Sequence, residues 1–281
     1  MDNRYDRSAE DIGNIVGLEH VNVQVADQPT ATLFYVAGLG LTRDPYMMAG
    51  VDNMWVNVGE SQFHLPTGKP QVLRGVTGLV IPNREALLAR LAAVRKPLEG
   101  TRFSFAEHAD FVETVCPWGN RLRCHEPSPA FGAMRLGMAY VEFEVPKGAA
   151  AGIARFYRDI MGAPAIVEGG AARITAGANQ RLIFRETEAE PAAYDKHHIQ
   201  VYVADFSGPH RGLLERSLVT EESNPYQYRF EDIVDPEGGP PLFVIEHEVR
   251  SVSHPLYRRP LVNRNPEQTI RAYQPGRDTF W

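Results

Sequence analysis

The chain has 281 residues, of which 43% are hydrophobic and 23% charged, as in a soluble globular protein with room for about two domains. Its net charge of −6 argues against nucleic acid or an anionic membrane surface as the main partner. No apolar run approaches the ~20 residues that cross a bilayer. Residues 1–7 are charged and lack the apolar core of a signal peptide. Two cysteines are too few for a disulfide framework, so we expect a cytoplasmic protein in which both thiols are buried.

The first structural unit is predicted to begin after a polar lead-in at residues 1–14. Residues 20–25 alternate between apolar and polar side chains, which is typical of a strand with one buried face. Asp27 is expected to cap the following helix, and Pro29 suits its first turn. Three more strands are predicted at residues 46–48, 54–58 and 62–65.

The same order of strand, helix and three strands then repeats three times. The second unit has strands at 76–81, 102–105, 111–116 and 121–125 and a helix at 84–94; the third starts at residue 138, and the fourth runs from 198 to about 248. We therefore predict an α+β fold of four βαβββ units. A first domain would span residues 15–127, a linker 128–135, a second domain 136–249, and a C-terminal extension 250–281.

One strand of the first unit recurs almost unchanged in the fourth unit. Residues 20–27, His-Val-Asn-Val-Gln-Val-Ala-Asp, correspond to residues 198–205, His-Ile-Gln-Val-Tyr-Val-Ala-Asp. Duplication of a unit places equivalent positions near one another, so His20 and His198 are candidates for a shared metal ion. The alternative is that each histidine is a hydrogen-bonded structural residue, as strand histidines commonly are.

The four units resemble the vicinal oxygen chelate superfamily, which includes glyoxalase I, extradiol ring-cleavage dioxygenases and bleomycin-resistance proteins. The resemblance is carried by Gly-Leu-Glu-His-Val-Asn-Val at 17–23, the helix end at 34–41, Gln-Phe-His-Leu at 62–65 and Trp-Gly-Asn-Arg-Leu at 118–122, and it covers residues 17–248. It implies two glyoxalase/dioxygenase-like domains with curled mixed sheets. It also implies metal ligands at the start of the first strand and in the last strand of a unit.

At those implied positions, the first unit has His20 and His64, and the fourth has His198 with Glu246 near the end of its last strand. The second unit has Val76 and Arg123, and the third has Tyr140 and Ile183 or Phe184. If units one and four pair, His20, His64 and His198 meet in one cleft; if consecutive units pair, each cleft has an incomplete ligand set. The three imidazoles would suit Fe, Zn, Mn or Ni.

The resemblance leaves three functions open. The first is a metal-dependent enzyme that chelates vicinal oxygens of a small, aromatic substrate, with a slight preference for a ring-cleavage dioxygenase. The second is a glyoxalase I-type isomerase or lyase with Glu246 as the catalytic base, and the third is a metal-free binding protein of the bleomycin-resistance type. Tyr140 and Arg123 are predicted to bind the substrate, Arg123 through its bidentate guanidinium group. The expected partner is a small molecule, and a homodimer stays an open alternative.

Overall fold

The computed structural model describes residues 7–45 and 51–259. Its helices and strands form four successive units of strand, helix and three strands. The first unit comprises β1 (Ile15–Asn22), α1 (Gln28–Ala31), which continues as a π-helix (Thr32–Gly38), β2 (Thr42–Arg43), β3 (Asn53–Val58) and β4 (Ser61–Pro66). The second comprises β5 (Gly75–Val80), α2 (Arg84–Ala93), β6 (Ser104–Glu107), β7 (Val112–Val115) and β8 (Arg121–His125).

The third and fourth units repeat this order. The third comprises β9 (Gly137–Pro146), α3 (Ala150–Asp159), β10 (Ala165–Glu168), β11 (Ala171–Thr175) and β12 (Arg181–Thr187). The fourth comprises β13 (His198–Val203), α4 (Ser207–Leu214), β14 (Val219–Asn224), β15 (Gln227–Ile233) and β16 (Phe243–Ser251). Short 3₁₀ turns lie at Arg7–Glu10 and Pro129–Phe131.

The strands form two eight-stranded mixed sheets, which confirms the predicted α+β class. The first sheet has the order β14-β15-β16-β13-β1-β4-β3-β2 and so combines units four and one. The second has the order β10-β11-β12-β9-β5-β8-β7-β6 and combines units three and two. Units one and four therefore pair, which is the arrangement expected to bring the three histidines together. The domain boundary at residues 128–135 stays a prediction, and both sheets contain strands from each side of it.

The core explains why the chain forms these elements. Val21 near the end of β1 and Val23 just after it are buried with Ile199 and Val201 of β13, and the polar residues between them face the opposite side of the first sheet. Asp27 caps α1 as predicted, since its carboxylate accepts a hydrogen bond of 2.7 Å from the backbone of Thr30. No helix in residues 7–45 and 51–259 has the length and apolar character needed to cross a membrane.

The predicted start of the first strand differs most from the structure. Strand β1 starts at Ile15, five residues before the predicted start, because Ile15 already pairs with Val203 of β13. The alternation rule missed these residues because the register shifts between Leu18 and His20, where Glu19 is an extra residue in β1. The strand predicted at residues 46–48 lies outside the described residues.

Candidate metal centre

The polar face of the first sheet is organised by an approximate two-fold relation between its halves. The central strands β1 and β13 are antiparallel, with His20 opposite Gln200 and Asn22 opposite His198. Strand β4 runs parallel to β1 and places His64 beside Asn22. This register brings the three histidines from distant parts of the chain onto one side of the sheet, and their ligand atoms all lie within 4.8 Å of one another.

His20 and His198 present the same ring nitrogen to each other. The Nε2 atoms are 3.4 Å apart. On its other side, Nδ1 of His20 is 2.5 Å from the carboxylate of Glu19, and Nδ1 of His198 is 3.2 Å from that of Glu246. An imidazole that donates Nδ1–H to a carboxylate and carries no second proton has its lone pair on Nε2. Two facing lone pairs repel unless a cation lies between them, and this arrangement therefore fits a metal ion.

His64 supplies a third available nitrogen. Its Nε2 is buried and has no hydrogen-bond partner among the described residues, whereas its Nδ1 is 2.5 Å from the amide of Asn22. The ring of Trp55 stacks on the imidazole with 3.8 Å between centroids, which fixes its orientation. Burial, followed by the positive charges of neighbouring groups, lowers the pKa of His64 to about 2. The imidazole is therefore neutral near pH 7 and free to bind a cation.

The same relation identifies an acidic position that the sequence analysis overlooked. Strand β16 runs parallel to β13, with Glu246 beside His198 and Glu248 beside Gln200. Because His64 lies beside Asn22 in the other half, Glu248 is the counterpart of His64. The Glu248 carboxylate is 3.8 Å from Nε2 of His198, whereas Glu246 approaches Nδ1. The contacts of Glu246 favour a role in orienting His198, and its assignment as the catalytic base stays a prediction.

Guanidinium groups balance these buried carboxylates. Arg229 forms ion pairs with both Glu246 and Glu248, and Arg250 is 2.5 Å from the other oxygen of Glu248. Burial raises the pKa of Glu248, but Arg250, His20 and Arg229 together hold it below its ordinary value. Burial instead raises the pKa of Glu246, against the opposing effect of Arg229. The Glu248 carboxylate is therefore ionised near pH 7 and lies beside the histidine cluster.

A second overlooked residue is Gln200. It is fully buried, and both polar atoms of its amide lack hydrogen-bond partners among the described residues. Such groups are costly to bury unless something binds them. The sequence carried a signal for it, since an amide follows each repeated histidine by two residues, as Asn22 and as Gln200. For Glu248, the signal was the correspondence of residues 62–64 with residues 246–248.

Tyr140 and Arg123 lie in the second sheet, away from the histidine cluster. They flank Gly78 of β5, with Tyr140 on the neighbouring strand β9 and Arg123 on the neighbouring strand β8. The Tyr140 hydroxyl is 3.0 Å from Nε2 of His125, and Arg123 pairs with Glu113 at 3.4 Å. The two residues are therefore not part of the histidine site, and substrate binding by them stays a prediction about a separate sheet.

Comparison with solved structures identifies the fold. A protein designated a candidate dioxygenase from Bacillus subtilis is 18% identical, with 86% of each chain covered and a TM-score of 0.57. Glyoxalase I from Zea mays is 11% identical, with 88% of this chain and 95% of that chain covered and a TM-score of 0.58. The chain therefore shares the fold of these two proteins, in line with the fold that the sequence resemblance implied. Comparisons with protein-family models and with curated protein sequences find no match.

Proposed function

We propose that this protein is a metal-dependent enzyme that chelates two neighbouring oxygens of a small aromatic substrate, and that it is a ring-cleavage dioxygenase. The observation that carries the proposal is the 3.4 Å separation of the His20 and His198 Nε2 atoms, with both Nδ1 atoms facing carboxylates. Two bonds of ~2.1 Å that meet at a tetrahedral angle separate their nitrogen ligands by about 3.4 Å.

The donor set favours iron. His20, His198 and Glu248 would form the combination of two histidines and one carboxylate that is typical of non-haem Fe(II) oxygenases, and His64 would complete the protein ligands. Bound Fe(II) would act as a Lewis acid toward two adjacent substrate hydroxyl groups and would pass electrons from the substrate to O2, both atoms of which would end in the ring-cleaved product. The unpartnered amide of Gln200 would orient the substrate oxygens, and Trp55 would keep His64 in place.

The carboxylates that contact Nδ1 of His20 and His198 would tune these two histidines. Glu19 and Glu246 would hold His20 and His198 in the Nδ1–H form and make Nε2 a stronger donor. Glu19 is suited to this role because His20, Arg250 and Arg259 overcome the effect of its burial and keep the pKa of this carboxyl below its ordinary value.

The test is anaerobic reconstitution with Fe(II), followed by measurement of O2 consumption and ring-cleaved product with a panel of ortho-dihydroxy aromatic compounds. We expect turnover by the wild type and by His210→Ala, because His210 is partly exposed and its contacts with Glu222 and Tyr228 lie outside the histidine cluster. We expect at least a ~100-fold loss of turnover in Glu248→Gln, because Glu248 would bind the metal, and about a 10-fold loss in Glu246→Gln, because Glu246 would only orient His198.

Other outcomes would separate the remaining functions. Turnover of a hemithioacetal without O2 consumption, dependent on His20 and His198, would replace the dioxygenase assignment with the isomerase or lyase. Failure of the protein to bind Fe, Zn, Mn or Ni would refute the metalloenzyme and favour a binding protein.

A further inference from the structure

A cavity beside the histidine cluster opens next to Glu19, and its lining does not include the three histidines. It has a volume of about 750 Å³, within the range of small-molecule sites. Its walls come from the start of β1, from residues 133–137 before β9 and from residues 256–259 after β16. We call this cavity the chamber. Glu19 lines it, and the same carboxylate is 2.5 Å from Nδ1 of His20.

The chamber contains polar groups, some of which the protein leaves unused. The Tyr202 hydroxyl is buried at the chamber, where the Arg250 guanidinium group lies against it. The guanidinium groups of Arg135 and Arg258 also line the chamber and are solvent-exposed, and neither pairs with a carboxylate in residues 7–45 and 51–259. By contrast, most other arginines near the first sheet are paired, Arg259 with Asp44 at 2.7 Å among them. The chamber therefore offers unpaired donors and positive charge.

The rest of the lining combines apolar and aromatic residues with the polar residues Glu60, Ser61, Asn179 and Gln180, so the two exposed arginines face one exposed carboxylate, that of Glu60. The side chain of Leu136 is 40% exposed, which is unusual for leucine, and it lines the chamber together with Leu256. The rings of Tyr202 and Tyr257 meet edge to face, with 4.8 Å between centroids. An apolar surface beside unpaired guanidinium groups matches a ligand with a flat apolar body and a negatively charged end.

We propose that the chamber binds a small organic anion, a carboxylate with an aromatic or other apolar body. The carboxylate would be recognised by Arg135 and Arg258 and the body by Tyr202, Tyr257 and Leu136. This binding requires no metal ion, so it is independent of the proposed catalytic function. Because Glu19 contacts both the chamber and His20, a ligand in the chamber would lie directly against the group that orients one metal ligand.

Gly17 makes the chamber testable without disturbing the surrounding packing. It lines the chamber in β1, its φ is not positive, and a Cβ added to it would meet no atom within 4 Å. Gly17→Trp would therefore fill the chamber, whereas Gly17→Ala is the matched control. The probe is 2-naphthoate, with its uncharged analogue 2-naphthamide, and binding is measured by calorimetry on full-length, metal-free protein.

We expect saturable binding of one 2-naphthoate, at least a 10-fold higher Kd in Gly17→Trp, and little change in Gly17→Ala. We expect 2-naphthamide to bind at least 5-fold more weakly, and the double variant Arg135→Gln/Arg258→Gln to abolish that difference. Circular dichroism would establish that each variant is folded. Absence of naphthoate binding, equal binding by Gly17→Trp and wild type, or equal binding of acid and amide would each overturn the proposal, whatever the metal content of the protein.

Discussion

Loss of metal-dependent stabilisation is the most direct test of the shared site between units one and four. The perturbations are His20→Ala and His198→Ala, each of which removes one of the two Nε2 atoms that face each other across 3.4 Å. Zn2+ is the probe because it is redox-inert and accepts imidazole ligands. In the wild type, a metal that binds the folded chain and not the unfolded chain stabilises it by mass action.

The expected rise in melting temperature follows from the binding free energy and from the length of the chain. At a free Zn2+ concentration 100 times the Kd, the gain in unfolding free energy is about 2.7 kcal/mol. With an unfolding entropy of ~2.1 cal/mol/K per residue, a chain of 281 residues would melt about 4–5 °C higher. Each alanine variant leaves only two of the three clustered imidazoles, so we expect its melting temperature to rise by less than 1 °C under the same conditions.

The assay is thermal unfolding followed by circular dichroism, with chelator-treated protein before and after addition of Zn2+. His210→Ala is the control, because it removes an imidazole of the fourth unit that lies outside the cluster. An equal shift in wild type and in both cluster variants would mean that zinc binds elsewhere. No shift in the wild type at saturating Zn2+ would refute the argument from the facing lone pairs.

Two further predictions concern groups outside the metal centre. Burial, with a smaller effect of Arg250, lowers the pKa of His254 to about 4, and its Nδ1 accepts a hydrogen bond of 3.1 Å from the backbone of Leu256. A histidine with a folded pKa below its unfolded value destabilises the fold as the pH falls from about 6.5 toward 4. Between pH 7 and pH 5, the unfolding free energy measured in urea should therefore fall by about 1 kcal/mol less in His254→Asn, which keeps an acceptor and cannot titrate, than in the wild type. This value is discounted because the ring is partly exposed. Burial raises the pKa of Cys124 to about 12 and also raises that of Cys116, so neither thiol should react with a disulfide reagent at pH 8 until denaturant is added, and fast labelling of the native protein would contradict this burial.

The fold was predictable because its signals are local and repeated. Alternation at period two and helical spacing at period 3.6 locate strands and helices within each unit, and four copies of the same order reinforce one another. The pairing of units was not predictable in this way, since a strand edge carries no local record of which distant unit will hydrogen-bond to it. The sequence therefore left two pairings open, and the structure has β1 beside β13.

The candidate site was predictable at the repeated histidines and less so in the last strands. His20 and His198 stand in matching segments, so their meeting required only that units one and four pair. Glu248 was overlooked because the sequence analysis considered Glu246 alone in the last strand of unit four, and the local sequence does not fix which residue of that strand lies at the level of His64. In the structure Glu248 is only 3% exposed, since Arg229 and Arg250 neutralise its charge from other positions in the sheet.

The position of Glu248 also explains why its burial is tolerated. A buried carboxylate is costly unless it is paired, and here two guanidinium groups contact its oxygens. Pairing of this kind would keep the carboxylate ionised and aimed toward His198 before any cation arrives, which lowers the reorganisation needed on binding. The bulge at Glu19 has the same effect for His20, because the extra residue in β1 brings a second carboxylate to the imidazole that the regular alternation would have turned away. Each half of the sheet thus places a carboxylate beside its histidine, one half through the register of β16 and the other through the bulge in β1.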